Sequence, residues 1–133
     1  MRTEKEIADE VEAFYRAYID AFNREDIDSY ADSFIPGYSL IQGGKVTAYA
    51  TETDLQQHSA QVFIDVKSRG WARSAVDVLK VSPLGDDQAM ILAEVTRYRA
   101  DESVLLHARA SYIVIRTAKG WKIAVMIPLA TRN

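Results

Sequence analysis

A chain of 133 residues, 48% hydrophobic and 26% charged with a formal net charge of −3, has the composition of one ordinary globular domain able to build its own core. The two charge signs are interspersed, so there is no basic stripe for a nucleic acid, and no apolar run nears the roughly 20 residues that cross a bilayer. The absence of cysteine excludes disulfides, thiolate catalysis and cysteine-based zinc sites, and the opening MRTEKEIADEVEAF is too charged for a secretory leader, which sets the expectation of a cytoplasmic protein.

Residues 4–23 read as a helix, because Ile7, Val11, Phe14, Tyr18 and Phe22 recur at steps of three and four. Thr3 is placed to cap it, with Glu4 and Glu6 at its positive end. The helix stops near Asn23. Asp26 then caps a second short helix with Ile27, Tyr30, Ala31 and Phe34 on its inner face, ended by Pro36-Gly37. YSLIQGGKVTAY (38–49) reads as a hairpin turning at Gly43-Gly44. Thr51 followed by Asp54 signals a third helix over about 52–68, with Gly70 at its end. From Trp71 onward the chain reads as four strands, at about 71–82, 88–99, 104–117 and 121–127. Helices first and sheet last argue an α+β domain with an antiparallel meander, spanning 1–133 as a single unit.

Two turns assign the strand residues to faces. RYRADESVLL (97–106) reads as a tight hairpin with Asp101-Glu102 at its corner, which sets Leu92 opposite Ser111, Glu94 opposite Arg109 and Thr96 opposite His107. TAKGW (117–121) reads as a three-residue loop with Gly120 left-handed, which sets Ile113, Ile115 and Thr117 opposite Val125, Ile123 and Trp121. On this register Trp121, Ile123, Val125 and Ile127 share a face with Glu94 and Arg109. The other face carries Ala89, Ile91, Ala93, Val95, Ala108, Ala110, Tyr112 and Val114. Both are largely apolar, and three helices are too few to cover both. The alanine-rich face is expected to be the outer one, covered by a second copy of the chain, with helix 3 or the short hairpin as the alternative cover. A slip of one residue in either turn exchanges the faces.

The helix, break and helix of YIDAFNREDIDSYADSF (18–34), around an N-x-x-D pattern, and the strand, turn and strand of IVIRTAKGWKIAVMI (113–127) resemble the NTF2-like superfamily. The particular likeness is to its ketosteroid isomerase-like and SnoaL-like polyketide cyclase branches. The resemblance implies a cystatin-like cone of three N-terminal helices packed on a curved antiparallel sheet, a pocket at the wide end, and a homodimer through the outer sheet face. The isomerase chemistry needs a carboxylate base, and a tyrosine with a protonated aspartic acid as oxyanion donors. By the resemblance these places fall at Gln42, Tyr18 and Ser111. An amide cannot take up the proton and a serine is a weaker donor, so the scaffold is implied without that reaction.

Within such a pocket the candidate catalytic residues are His107, Glu94, Arg109, His58 and Tyr18, and the candidate ligand-binding residues are Gln42, Ser111, Tyr30, Trp71 and Trp121. Glu94–Arg109 reads either as an inward pair holding a polar ligand group or as an outer cross-strand pair worth about 0–1 kcal/mol. His107 and His58 have the right ordinary pKa for acid–base work, against an exposed strand residue and a core-edge histidine respectively. Tyr18 is a hydrogen-bond donor or simply core. Two lone histidines without carboxylate spacing make no metal site, and no cofactor is called for. The expectation is a pocket for a small, mostly apolar molecule. It serves either a cofactor-free isomerase, cyclase or dehydratase, or a non-catalytic ligand-binding or dimeric assembly domain.

Overall fold

The computed structural model describes residues 2–129. Helix α1 (Glu4–Asn23) and α2 (Ile27–Asp32) precede strands β1 (Phe34–Gln42) and β2 (Lys45–Tyr49). Helix α3 (Glu52–Ser68) is followed by β3 (Trp71–Pro83), β4 (Gln88–Arg99), β5 (Val104–Thr117) and β6 (Gly120–Leu129). No described helix is long and apolar enough to cross a membrane.

Local chemistry explains the helix ends. The Thr3 hydroxyl accepts from the Glu6 amide. Thr51 and Asp54 form a reciprocal capping box at α3. Asp26 caps α2 by accepting from the Ser29 amide at 3.1 Å and from the Ser29 hydroxyl at 2.8 Å. The break between α1 and α2 turns on Glu25, whose φ of 56° is left-handed. Asn23 has a different task. Its side chain donates to the Ser74 carbonyl at 2.9 Å and accepts from the Ser74 amide at 2.8 Å. The N-x-x-D pattern is thus a clamp onto β3 plus a helix cap.

The six strands form one sheet in the order β2-β1-β6-β5-β4-β3. All neighbours are antiparallel except β1 and β6, which run parallel. This is one departure from the all-antiparallel expectation. Another is Phe34, which opens β1 and pairs with Ile123 instead of completing α2. Pro36-Gly37 therefore sits inside β1, at the irregularity between Phe34 and Ser39, where proline's missing N–H weakens the ladder.

The hairpin of β4 and β5 has the expected partners Leu92–Ser111, Glu94–Arg109 and Thr96–His107, but its turn is a three-residue loop over 100–102 in place of the tight Asp101-Glu102 corner, and a bulge between Arg97 and Tyr98 takes up the extra residue. The next one differs. Thr117 pairs with Gly120, so the loop is two residues long, and Trp121 pairs with Arg116 and Lys122 with Ile115. The expected Ile113–Val125 pair is kept because a β-bulge at Ala124 adds one residue to β6. Trp121 and Ile123 consequently join the alanine-rich face, opposite to the Glu94–Arg109 row, while Val125 and Ile127 stay with that row.

The alanine-rich face is also the inner one, which reverses the expected assignment. Ala89, Ile91, Ala93, Ala110, Tyr112, Val114, Trp121 and Ile123 are all buried, in one core with Ile7, Val11, Tyr15, Tyr18 and Phe22 of α1. Small strand side chains leave room for large helix aromatics, so large and small alternate across the layers. Phe22 stacks on Phe63 at 4.7 Å between ring centroids and meets Trp71 edge-on at 4.8 Å.

Candidate functional site

A cavity of about 330 Å³ opens between α1 and the inner rows of β4, β5 and β6. From α1 come Tyr15, Tyr18, Ile19 and Phe22, and from α2 Tyr30. The strands supply Ala93, Val95 and Arg97, then Ala108, Ala110 and Tyr112, then Met126 and Pro128, with Gln42 of β1 at the border. The alanines hollow the cavity, because a bulkier side chain at Ala93, Ala108 or Ala110 would fill it.

Four of the lining residues are tyrosines. Their hydroxyls meet in pairs, Tyr15 with Tyr112 at 3.3 Å and Tyr18 donating to Tyr30 at 3.4 Å. Burial raises the pKa of each phenol, pushing Tyr30 up to about 12 and Tyr15, Tyr18 and Tyr112 upward from their ordinary value. The positive charge of Arg97 works against that rise at Tyr15, Tyr30 and Tyr112. All four phenols are therefore neutral near pH 7 and act as hydrogen-bond donors or acceptors. None of the lining residues is an aspartate, glutamate or histidine. Among the described residues no three histidine or acidic side chains gather as a metal site would require.

The structure brings Tyr18, Tyr30 and Gln42 together in this cavity. Arg109 borders it beside Leu129, while its Nε lies 3.7 Å from Glu94 Oε1. Glu94, His107 and Ser111 are on the outer face, displaced from the expected interior by the reversal of the two faces. There His107 joins a polar chain. The Thr96 hydroxyl donates to Asp77 Oδ2 at 2.5 Å, which leaves its oxygen to accept from His107 Nδ1 at 2.9 Å. His58 stacks on Tyr49 at 4.2 Å between ring centroids, away from the cavity, and burial lowers its pKa.

Neither tryptophan lines the cavity. The Trp71 Nε1 donates to the Ser74 hydroxyl at 2.9 Å. The bulge in β6 carries Trp121 to the inner face, where its Nε1 donates to Glu10 Oε1 at 3.1 Å.

The sequence reading missed Tyr15, Tyr112 and Arg97. Tyr15 had a signal, since Val11, Tyr15, Tyr18 and Phe22 are spaced four, three and four, with Phe14 only half-buried. Tyr112 and Arg97 were in register all along, on the row taken for the outer face.

Solved structures with this fold include an NTF2-like protein of unknown function from Shewanella oneidensis MR-1. It is 15% identical at a TM-score of 0.72, over 90% of this chain and 96% of that one. A ketosteroid isomerase-like protein from Erwinia carotovora atroseptica SCRI1043 is 21% identical at 0.66, over 93% and 97%. A cystatin-like domain of unknown function from Nostoc punctiforme PCC 73102 is 21% identical at 0.72, over 92% and 76%. At these identities the likeness shows the fold alone. No curated protein matches the chain in sequence. Residues 9–131 match the family model described as NTF2-like protein (DUF6841), and the chain belongs to that NTF2-like family.

Proposed function

We propose that this chain is a small-molecule-binding NTF2-like protein whose cavity takes a mostly apolar ligand with one or two polar groups. The observation that carries this reading is the cavity of about 330 Å³, walled by aromatic and alanine side chains and floored by paired tyrosine hydroxyls. Such a site holds a ligand by apolar burial and orients it by a few hydroxyl contacts. Binding is favoured over acid–base catalysis, because no carboxylate or imidazole lines the cavity. The test is thermal unfolding and calorimetric titration with neutral aryl and alkyl amides. Ala108→Trp, which fills the cavity, is expected to abolish binding seen with the natural chain. Equal binding by the filled variant overturns the reading.

The outer face supports a second copy as partner. Leu92, Ile113, Ile115, Val125 and Ile127 form a half-exposed apolar field with Met90 beside it, 41% exposed. Sedimentation equilibrium is expected to give twice the chain mass, and Ile113→Glu the single-chain mass. A single-chain mass for the natural protein at about 100 μM rules the dimer out.

A further inference from the structure

Arg97 is the unusual member of the cavity. It stands two residues beyond Val95 on the inner row of β4, opposite Leu106 of β5 and Ser74 of β3. Its guanidinium carbon lies 5.8 Å from the centroid of the Phe22 ring. Arg16 pairs with Glu12, Arg24 with Asp20, Arg73 with Glu102 and Arg116 with Asp87, while Arg69 and Arg99, which meet no carboxylate among the described residues, are exposed to solvent. Arg97 pairs with no carboxylate among the described residues, although it is half-buried.

The cavity as a whole repeats this imbalance. Its lining includes no acidic residue, in a chain whose net charge is −3, and Arg97 is the one arginine that its inner rows supply. Arg109 borders the cavity from the outer row, and its guanidinium already faces Glu94 there. A half-buried guanidinium beside an aromatic face, with no carboxylate partner among the described residues, is free to meet an anion that enters the cavity. Its planar fork matches a carboxylate through two parallel N–H donations, and the phenols of the cavity, neutral near pH 7, add no competing anion.

We propose that the ligand is a small organic carboxylate with an apolar aryl or alkyl body, its carboxylate held by Arg97 and its body lying among Tyr15, Tyr18, Phe22 and Ala110. This rests on the pocket reading above and adds the charge of the ligand to it. A single free guanidinium in an aromatic setting suits one negative charge. A phosphate monoester would require more donors than this wall offers.

The test titrates the protein at pH 7.5 with 2-naphthoate, 4-phenylbutyrate and decanoate, and with the primary amide of each. The carboxylates are expected to bind about 10- to 100-fold more tightly than their amides, the margin that a charge-assisted hydrogen bond adds over a neutral one. Arg97→Met is expected to bring each carboxylate and its amide to within about twofold of one another, the ratio of the two being the readout whatever the variant does to amide binding itself. Arg97→Lys should retain part of it, and Arg116→Met, at a paired arginine outside the cavity, all of it. Unfolding midpoints for each variant separate a lost contact from a lost fold.

Amides that bind as well as the acids overturn the proposal and leave the pocket standing. So does a preference that survives Arg97→Met. If neither series binds, or if both bind equally to Ala108→Trp, the pocket itself is wrong and the carboxylate falls with it.

Discussion

Raising the pH from 10 to 12 is expected to unfold this protein cooperatively. Tyr15, Tyr18, Tyr30, Tyr38 and Tyr112 are buried, and burial raises the pKa of each phenol. The unfolded chain sheds these protons near pH 10, whereas the folded chain holds them longer. Between those values the native state binds more protons than the unfolded one, so its stability falls as pH rises. The contribution is complete below pH 10 and is lost as pH climbs through the folded values. Tyr30, pushed up from 10.0 to about 12, accounts for about 3 kcal/mol by itself. The other four act in the same direction. Losing several such contributions is large against a domain's whole stability, about 5–15 kcal/mol. Tyrosinate absorbance near 295 nm should therefore rise in the same narrow transition in which far-ultraviolet circular dichroism is lost. All seven tyrosines titrating smoothly around pH 10 with the dichroism intact would show that these rings are not sealed.

The second large effect is expected at Phe22. It is buried where α1, α3 and β3 meet, against Phe63, Trp71 and Tyr30. Phe22→Ala removes a ring that three aromatic neighbours cannot replace, and truncations of this kind destabilise by about 3–5 kcal/mol. The void adjoins the cavity, which Phe22 already lines. Chemical denaturation should show the lower midpoint. Phe22→Leu, which restores much of the volume, should recover more than half of the loss. A change below about 1 kcal/mol for Phe22→Ala would mean that the aromatic cluster is not packed as described.

The helices were legible because their signals are local. Capping residues at Thr3, Asp26 and Thr51 act within three residues, and the stripe of α1 repeats every turn. The partners of Leu92, Glu94 and Thr96 were legible from the alternation of β4 and β5, although the turn itself is a three-residue loop over 100–102 closed by Arg99 and Ser103, and a bulge between Arg97 and Tyr98 restores the register. What failed depended on distant partners. The parallel seam joins residues far apart in sequence, so nothing near Phe34 announces that it is a strand. The bulge at Ala124 is a one-residue insertion, which alternation alone cannot register, and it moved Trp121 to the other side. The two sheet faces are both apolar, and the choice between them lay in the fit of small residues under α1, a matter of shape more than hydropathy. That single choice removed Glu94, His107 and Ser111 from the interior and brought in Arg97 and Tyr112.

The parallel seam also fixes an order of events during folding. Ser39 lies beside Val125, about 86 positions later in the chain. Closing so long a loop is entropically slow, and contacts at this separation form late. The β1–β2 hairpin closes through its own Gly43-Gly44 turn, yet it has no sheet edge to join until β6 has arrived on β5. During synthesis on the ribosome it must wait, with one strand edge open, for nearly the entire remaining chain. Lys45 and the short length of β2 blunt its other edge over that interval, when an unpaired ribbon is most prone to pair with its neighbours.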